Sequence, residues 1–406
     1  MKEVLDILNS FINYEKIGTI PRDLENFKNF LKKFDNPQHK LKNVVHVVGT
    51  KGKGSVSFYL SRFLINAGFK VGTYISPHLV NIRERIMLDL NPISENDFVR
   101  IFHNVYKNME IKSKNFRTFF ETLTAMAFLY FLENNCDYCI IEAGLGGRLD
   151  ATNVFDKSNV IITKIHYDHM NVLGDTLDKI AFEKASVIKK NSLVFTSYQE
   201  KEVMKVINDF VMKNSAELFF VEFETINSSL YGVEFRVKDR VFKTPLVGSF
   251  HAYNASLSII AFEKLTNMKF KNELFKDIRI PGRFEVFKIG QKTIVLDVAH
   301  NYISILETIS NTIDLFHKEP IIIFSLSKDK DLENISRIIK PYLVLLPHIE
   351  NPRLLKPHEI SEYLEKYLIF NTLKDAIDFA MHSDFDIVLI TGSNFLVSEF
   401  LGLYAL

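Results

Sequence analysis

The chain has 406 residues, of which 47% are hydrophobic and 24% charged, the composition of a globular soluble protein long enough for two domains. Its formal net charge of +1 gives no electrostatic reason to expect nucleic acid or an anionic membrane as a partner. No apolar run approaches the roughly 18 residues that cross a bilayer.

The N-terminal stretch MKEVLDILNSFINYEK carries acids among its apolar residues and reads as an amphipathic helix, not a signal peptide, so a cytoplasmic protein is expected. The apolar run VVHVV, Val44 to Val48, then ends in the turn Gly49-Thr50-Lys51-Gly52-Lys53-Gly54-Ser55, and the helical stretch VSFYLSRFLINA follows at once. Strand, glycine turn, lysine, hydroxyl and helix is the order that wraps backbone N–H groups around nucleotide phosphates, with the helix N-terminus adding partial positive charge. The hydroxyl sits one residue later than in G-x-x-x-x-G-K-[ST]. The turn predicts a nucleoside triphosphate site at Gly52, Lys53, Gly54 and Ser55.

Further strand-length runs are KVGTYI, YCIIEA, VIITKI and LVFTS, separated by helical stretches such as Phe119 to Glu133 and Asp175 to Lys189. Buried strands alternating with amphipathic helices predict a mostly parallel sheet covered on both faces. Cys136 and Cys139 have C-x-x-C spacing but lead into an apolar strand and lack a second pair, which predicts core cysteines in a reducing compartment. The alternating pattern GVEFRV-KD-RVFKTPL around Tyr231 to Leu246 predicts a small antiparallel hairpin. After Ile280-Pro281-Gly282-Arg283 the alternation restarts with FEVFKI, TIVLDVA, PIIIFSL, YLVLLP and DIVLITGS. The expected fold is α/β: a nucleotide-binding domain over residues 1–280 and a smaller Rossmann-like domain over 281–406, with the active site in the cleft between them.

Glu142 ends the strand YCIIE, where an acid commonly holds a magnesium ion bridging nucleotide phosphates; a plain strand-end carboxylate is the alternative. The glycine turn GLGGRLDATN, Gly144 to Asn153, carries Arg148 and Asp150. His169 follows the strand VIITKI, and as a lone histidine it also reads as a satisfied interior residue. Lys184 has Ile180, Ala181, Val187 and Ile188 one helical turn away, so it projects from an apolar face or lays its stem over that face with its charge in water.

Together these segments resemble the folylpolyglutamate synthase/dihydrofolate synthase family within the Mur-type ATP-dependent amide ligases. The resemblance runs from the N-terminal helix to Val397. It rests on G-T-x-G-K-G-[ST] at Gly49 to Ser55, S-P-H-L at Ser76 to Leu79, E-R-[IV] at Glu84 to Ile86 and F-E at Phe120-Glu121. It continues through E-x-G-L-G-G-R-L-D-A-T-N at Glu142 to Asn153, D-H at Asp168-His169, L-G at Leu173-Gly174 and E-K-A at Glu183 to Ala185. In the C-terminal part lie P-G-R-[FP]-E at Pro281 to Glu285, D-[VG]-A-H-N at Asp297 to Asn301, D-K-D at Asp329 to Asp331 and T-G-S at Thr391 to Ser393. The chain departs from the pattern at Lys51, at Phe250-His251 in place of His-Gln, and at Tyr302 in place of proline.

The resemblance implies ATP-dependent ligation of L-glutamate to dihydropteroate or to folate glutamates through an acyl phosphate, with Mg2+ as cofactor. It assigns the phosphates to Lys53, one magnesium ion to Ser76 and Glu142, and a second to Glu142, His169 and a carbamylated Lys184. Asn254 is assigned to adenine, Arg283 and Asp297 to the nucleotide, and His300 to the transferred phosphoryl group or the glutamate. The pteroate is placed against Thr118, Phe119, Phe120 and Glu121 and against Leu149, Asp150 and Ala151. A monomer with small-molecule substrates is expected. The rival readings are another Mur-type amino-acid ligase and a nucleotide switch that hydrolyses ATP without joining substrates.

Overall fold

The computed structural model describes residues 1–12, 23–109 and 117–404. The chain divides into two compact units. Met1–Glu224, Arg236–Phe242 and Ala252–Ile278 form the first, and Thr225–Phe235, Lys243–His251 and Arg279–Leu406 form the second. The division is therefore discontinuous in sequence, where a single boundary near residue 280 is expected from the pattern of strands.

The first unit holds an eight-stranded sheet built from β1 (Val44–Val48), β2 (Val71–Tyr74), β3 (Ile86–Leu88), β4 (Asn91–Pro92), β5 (Tyr138–Glu142), β6 (Asn159–Ile162), β7 (Leu193–Thr196) and β8 (Glu217–Phe220), in the order β4-β3-β2-β5-β1-β6-β7-β8. Only β3 and β4 run antiparallel to their neighbours. All five residues of β1 and of β5 are buried, which is why both read as continuous apolar runs without alternation.

Register fixes the site. Val47 of β1 pairs with Glu142 of β5, Val48 pairs with Ile162 of β6, and Tyr74 of β2 pairs with Ile141. The segments leaving these strands therefore emerge side by side at the carboxyl edge: Ser76, the turn Gly49–Ser55, Glu142 and the run Thr163–His169. Ligands of open parallel sheets gather at that edge. One apolar cluster of this unit draws on the helices Lys2–Ser10, Leu24–Leu31, Glu95–Tyr106 and Phe119–Glu133, and another on Leu177–Ala185 and Lys201–Lys213. Both cysteines are free and buried.

A three-stranded sheet follows in the order β11-β10-β9, from β9 (Phe223–Ser229), β10 (Gly232–Val237) and β11 (Arg240–Thr244), with Lys238 at positive φ in the β10–β11 turn. In the second unit β12 (Glu285–Ile289) runs antiparallel to β13 (Lys292–Leu296). The remaining strands, β14 (Ile321–Phe324), β15 (Val344–Pro347), β16 (Tyr367–Phe370) and β17 (Ile387–Thr391), extend it as a parallel sheet in the order β12-β13-β17-β14-β15-β16. Its core joins Val295, Ile305, Ile322, Leu346 and Leu389. No helix among the described residues is long and apolar enough to cross a membrane.

Candidate active site

The turn after β1 is shaped by what surrounds it. Gly49 has φ +144°, and a Cβ there would lie 1.9 Å from Thr163 Oγ1. Gly52, at φ +84°, caps the helix Lys53–Asn66, and a Cβ there would meet Asn254 Oδ1 at 2.4 Å. Only glycine satisfies both positions. The Thr50 and Lys51 amides donate to the Lys164 carbonyl at 2.9 and 3.1 Å, which clamps the turn to the segment after β6. The helix N-terminus, where Gly54 and Ser55 lie, has no side-chain cap, and its first amides have no intrahelical acceptor. That leaves them for an anion. Asn254, expected at the adenine, is buried against Gly52, so the structure places it at the loop itself.

Two lysine amines converge behind the turn. Lys53 Nζ donates to the Gly49 carbonyl at 3.2 Å, and Lys184 Nζ donates to the same carbonyl at 2.8 Å. Lys184 is 4% exposed, so it does not reach out to water over its apolar neighbours. Burial, with the Lys53 charge adding to it, pushes the Lys184 amine down to about 7, while Asp168, Asp150 and Glu183 pull the other way. An amine so depressed is available in its neutral, nucleophilic form near neutral pH.

Glu142, 4% exposed, accepts a hydrogen bond from the Ser76 amide at 3.2 Å, so these two expected ligands meet. His169 is half-exposed in the left-handed region at φ 49°, with its Nε2 3.8 Å from Asp168 Oδ1. Among the described residues no three His, Cys, Asp or Glu side chains form a metal cage. A magnesium–nucleotide site does not need one, since Mg2+ takes one or two carboxylates plus phosphate oxygens and water. The hard oxygen donors of Ser76 and Glu142 suit that ion. Lys184 in its amine form offers it nothing, because –NH3+ has no acceptor.

The expected acceptor-binding residues fall in two places. Thr118 caps the helix Phe119–Glu133 in a reciprocal box: its hydroxyl accepts from the Glu121 amide at 3.1 Å, and Glu121 accepts from the Thr118 amide at 2.9 Å. Burial pushes the Glu121 carboxyl up, opposed by Arg117. Phe119 lies under the Arg85 guanidinium at 5.3 Å, and the Phe120 ring packs on Tyr74 and over Gly144. Phe120 thereby borders the segment Gly144–Asn153, where Leu149 is half-buried and Ala151 buried. The Asp150 carboxylate is spent inside that segment, accepting from the Leu145 amide at 2.9 Å, the Thr152 amide at 3.0 Å and the Thr152 hydroxyl at 2.6 Å. Arg148 ties the segment to the lysine helix, with its amide on the Glu183 carbonyl at 2.8 Å and Nε on Glu183 Oε1 at 3.0 Å.

Within the second unit, Asp297 leaves β13 and accepts from the Phe284 and Ala299 amides at 2.8 and 2.7 Å. Its burial pushes the carboxyl up, while the Arg283 charge holds it down. His251, one of the departures from the family pattern, is wholly buried and hydrogen-bonded to the Arg283 backbone. Burial pushes its imidazole down to about 3. His300 Nδ1 lies 2.8 Å from the Val298 carbonyl, and Asn301 caps the helix Tyr302–Phe316. Arg283, Asp297 and His300 thus share one edge of this unit, the carboxyl end of β13.

The Mur ligase middle domain matches residues 47–262, and the Mur ligase glutamate ligase domain matches residues 282–394. The dihydrofolate synthase/folylpolyglutamate synthase of Bacillus subtilis is 30% identical over 95% of this chain and 95% of its own. The chain belongs to the folylpolyglutamate synthase/dihydrofolate synthase family. A solved folylpolyglutamate synthase from Thermotoga maritima is 28% identical, with a TM-score of 0.83 over 98% of this chain and 96% of that one. A bifunctional folylpolyglutamate synthase/dihydrofolate synthase solved with Mn, AMPPNP and L-glutamate is 25% identical, with a TM-score of 0.84 over 99% and 97%.

The geometry of the site also brings in residues that motif reading passes over. Thr163 and Lys164 shape the turn through close packing and a backbone carbonyl, for which sequence carries no signal. His46 is different, being the one polar side chain inside the run VVHVV.

Proposed function

We propose that this chain is an ATP-dependent ligase that joins L-glutamate to dihydropteroate, to folate glutamates, or to both, as a cytoplasmic monomer using Mg2+. The supporting observation is the convergence of Lys53 and buried Lys184 on the Gly49 carbonyl, at the same sheet edge as the Ser76–Glu142 contact.

The acceptor carboxylate oxygen attacks the γ-phosphorus of ATP and ADP leaves; the glutamate amine then attacks the acyl carbonyl and phosphate leaves. Phosphoryl transfer asks the protein for position and charge neutralisation more than for covalent help. Lys53 and the amides of Gly52, Gly54 and Ser55 hold the phosphates, and Asn254 fixes the loop or meets the base. Ser76 and Glu142, joined by His169 and a carbamylated Lys184, hold the metal, which neutralises phosphate charge when bound. Thr118, Phe119, Phe120 and Glu121, with Leu149, Asp150 and Ala151, form the acceptor's surroundings. Arg283 and Asp297 serve the nucleotide, and His300 serves the phosphoryl group or the incoming glutamate.

Product analysis with purified protein, ATP, glutamate and each acceptor tests the reading. The expected result is ADP release that depends on both acceptor and glutamate, with a product heavier by one glutamate. ADP release indifferent to both would identify a nucleotide switch. Lys53→Ala is expected to lower ligation by about 10²–10³-fold, since it removes the charge that meets the transferring phosphate. Undiminished turnover at saturating ATP would remove Lys53 from that role.

A further inference from the structure

His46 lies in β1 between Ile141 of β5 and Val160 of β6 and is completely buried. Its Nε2 is 2.8 Å from Thr152 Oγ1, which is also buried. The Thr152 hydroxyl has a single proton, and that proton goes to Asp150 Oδ1 at 2.6 Å. The hydroxyl oxygen is therefore the acceptor toward His46, and His46 Nε2 carries the hydrogen. Its Nδ1, buried and without a hydrogen-bond partner among the described residues, is then the bare lone pair. A second N–H at that atom would be stranded, so the geometry holds the ring neutral. Burial, reinforced by Lys189 and opposed by Asp150, pushes the imidazole down to about 4 in agreement with this.

The relay ends on the segment lying between strand β5 and the lysine helix. The other Asp150 oxygen accepts from the Leu145 amide, closing the segment on itself. Asn153 braces the same turn by donating to the Arg148 carbonyl at 3.0 Å while accepting from Lys189 at 2.7 Å. His46 stands three residues before Gly49, so the strand that leads into the phosphate loop also sets the conformation of Gly144–Asn153. We propose that His46 is a positioning residue for the acceptor: through Thr152 and Asp150 it locks this segment in the shape that receives the folate-type substrate. The inference rests on the ligase reading above. A histidine that only fills the core would affect stability alone.

Three variants test it. His46→Leu fills the volume without a donor, Thr152→Val keeps the shape without the bridge, and His46→Gln puts an amide N–H in place of Nε2. In the full-length enzyme His46→Leu and Thr152→Val are each expected to raise the acceptor KM about tenfold and leave the ATP KM within about twofold. The pair combined should be no worse than either alone, because both cut the same link, and His46→Gln should recover acceptor affinity. Hydrogen exchange at the Leu145 and Thr152 amides should accelerate in His46→Leu and Thr152→Val. Lowered Tm with unchanged acceptor KM in both variants would overturn the inference. If His46→Leu fails to fold, Thr152→Val alone decides it. Absence of glutamylated product from the unsubstituted enzyme would overturn the ligase reading instead, and the exchange measurement would still report on the relay.

Discussion

Lys184→Arg is expected to be inactive, with ligation lowered by at least about 10³-fold, although it retains the positive charge. A cationic side chain cannot bind a metal ion, so the proposed ligand role of Lys184 requires that its amine first be converted. The neutral amine attacks carbon dioxide through its lone pair, a proton leaves the nitrogen, and the resulting carbamate presents carboxylate-like oxygens. An amine at its ordinary value near 10.4 would be neutral less than about one part in a thousand at pH 7, whereas one pushed down to about 7 is neutral about half the time. Arginine offers no such route. Lys184→Ala should be equally inactive but partly restored by short carboxylic acids that fill the vacated volume. Depleting carbon dioxide and bicarbonate should lower wild-type activity and leave the Ala variant unaffected. A fully active Lys184→Arg enzyme would reject the carbamate.

The same burial implies a cost to the nucleotide-free fold, and Lys184→Met exposes it. The folded amine lies near 7 and the unfolded one near 10.4, so between those values the unfolded chain holds a proton that the folded chain has released. Wild-type stability therefore climbs with pH across that window. Lys184→Met, free of this penalty, should melt higher than wild type at pH 7 and below, with the advantage fading toward pH 10. Melting curves at pH 6.5, 8 and 9.5 check the sign; an advantage that grew with pH would show that the lysine is not buried as an amine.

Much of this was legible in the sequence, because buried parallel strands leave continuous apolar runs and a glycine turn between strand and helix has few other uses. The run VVHVV, the turn Gly49–Ser55 and Glu142 at a strand end all sit where those patterns place them. The rest depends on contacts between distant segments. Lys184 reaches a carbonyl 135 residues away, and helix periodicity shows only that its neighbours are apolar. The resemblance sets Asp150 of GLGGRLDATN against the pteroate, and the sequence gives no sign that three donors within its own segment claim its carboxylate. The residues around the hairpin read as a local appendage, but 225–235 and 243–251 group with the second unit. Alternation records which face of a strand is buried, not which unit buries it.

Glu142→Gln should raise the Mg2+ concentration for half-maximal ligation about tenfold and lower kcat by about 10²-fold. The substitution is informative because so little else changes. Glutamine has the same shape, and its carbonyl oxygen can still accept from the Ser76 amide, the contact Glu142 makes at 3.2 Å. What disappears is one negative charge, at a side chain only 4% exposed and therefore weakly screened by water. A plain strand-end carboxylate would lose little by this exchange, since its contact with the Ser76 amide is kept. A metal ligand would lose most of its affinity for a hard cation, because an amide oxygen carries only a partial charge. Excess Mg2+ should restore part of kcat in Glu142→Gln, whereas excess ATP at fixed Mg2+ should not. Glu142→Asp tests position separately from charge, withdrawing the carboxylate by one methylene from Ser76. If Glu142→Gln ligated normally with an unshifted Mg2+ requirement, the divalent ion would have to be held elsewhere on the sheet edge, and Glu142 would be there only to hold the Ser76 turn.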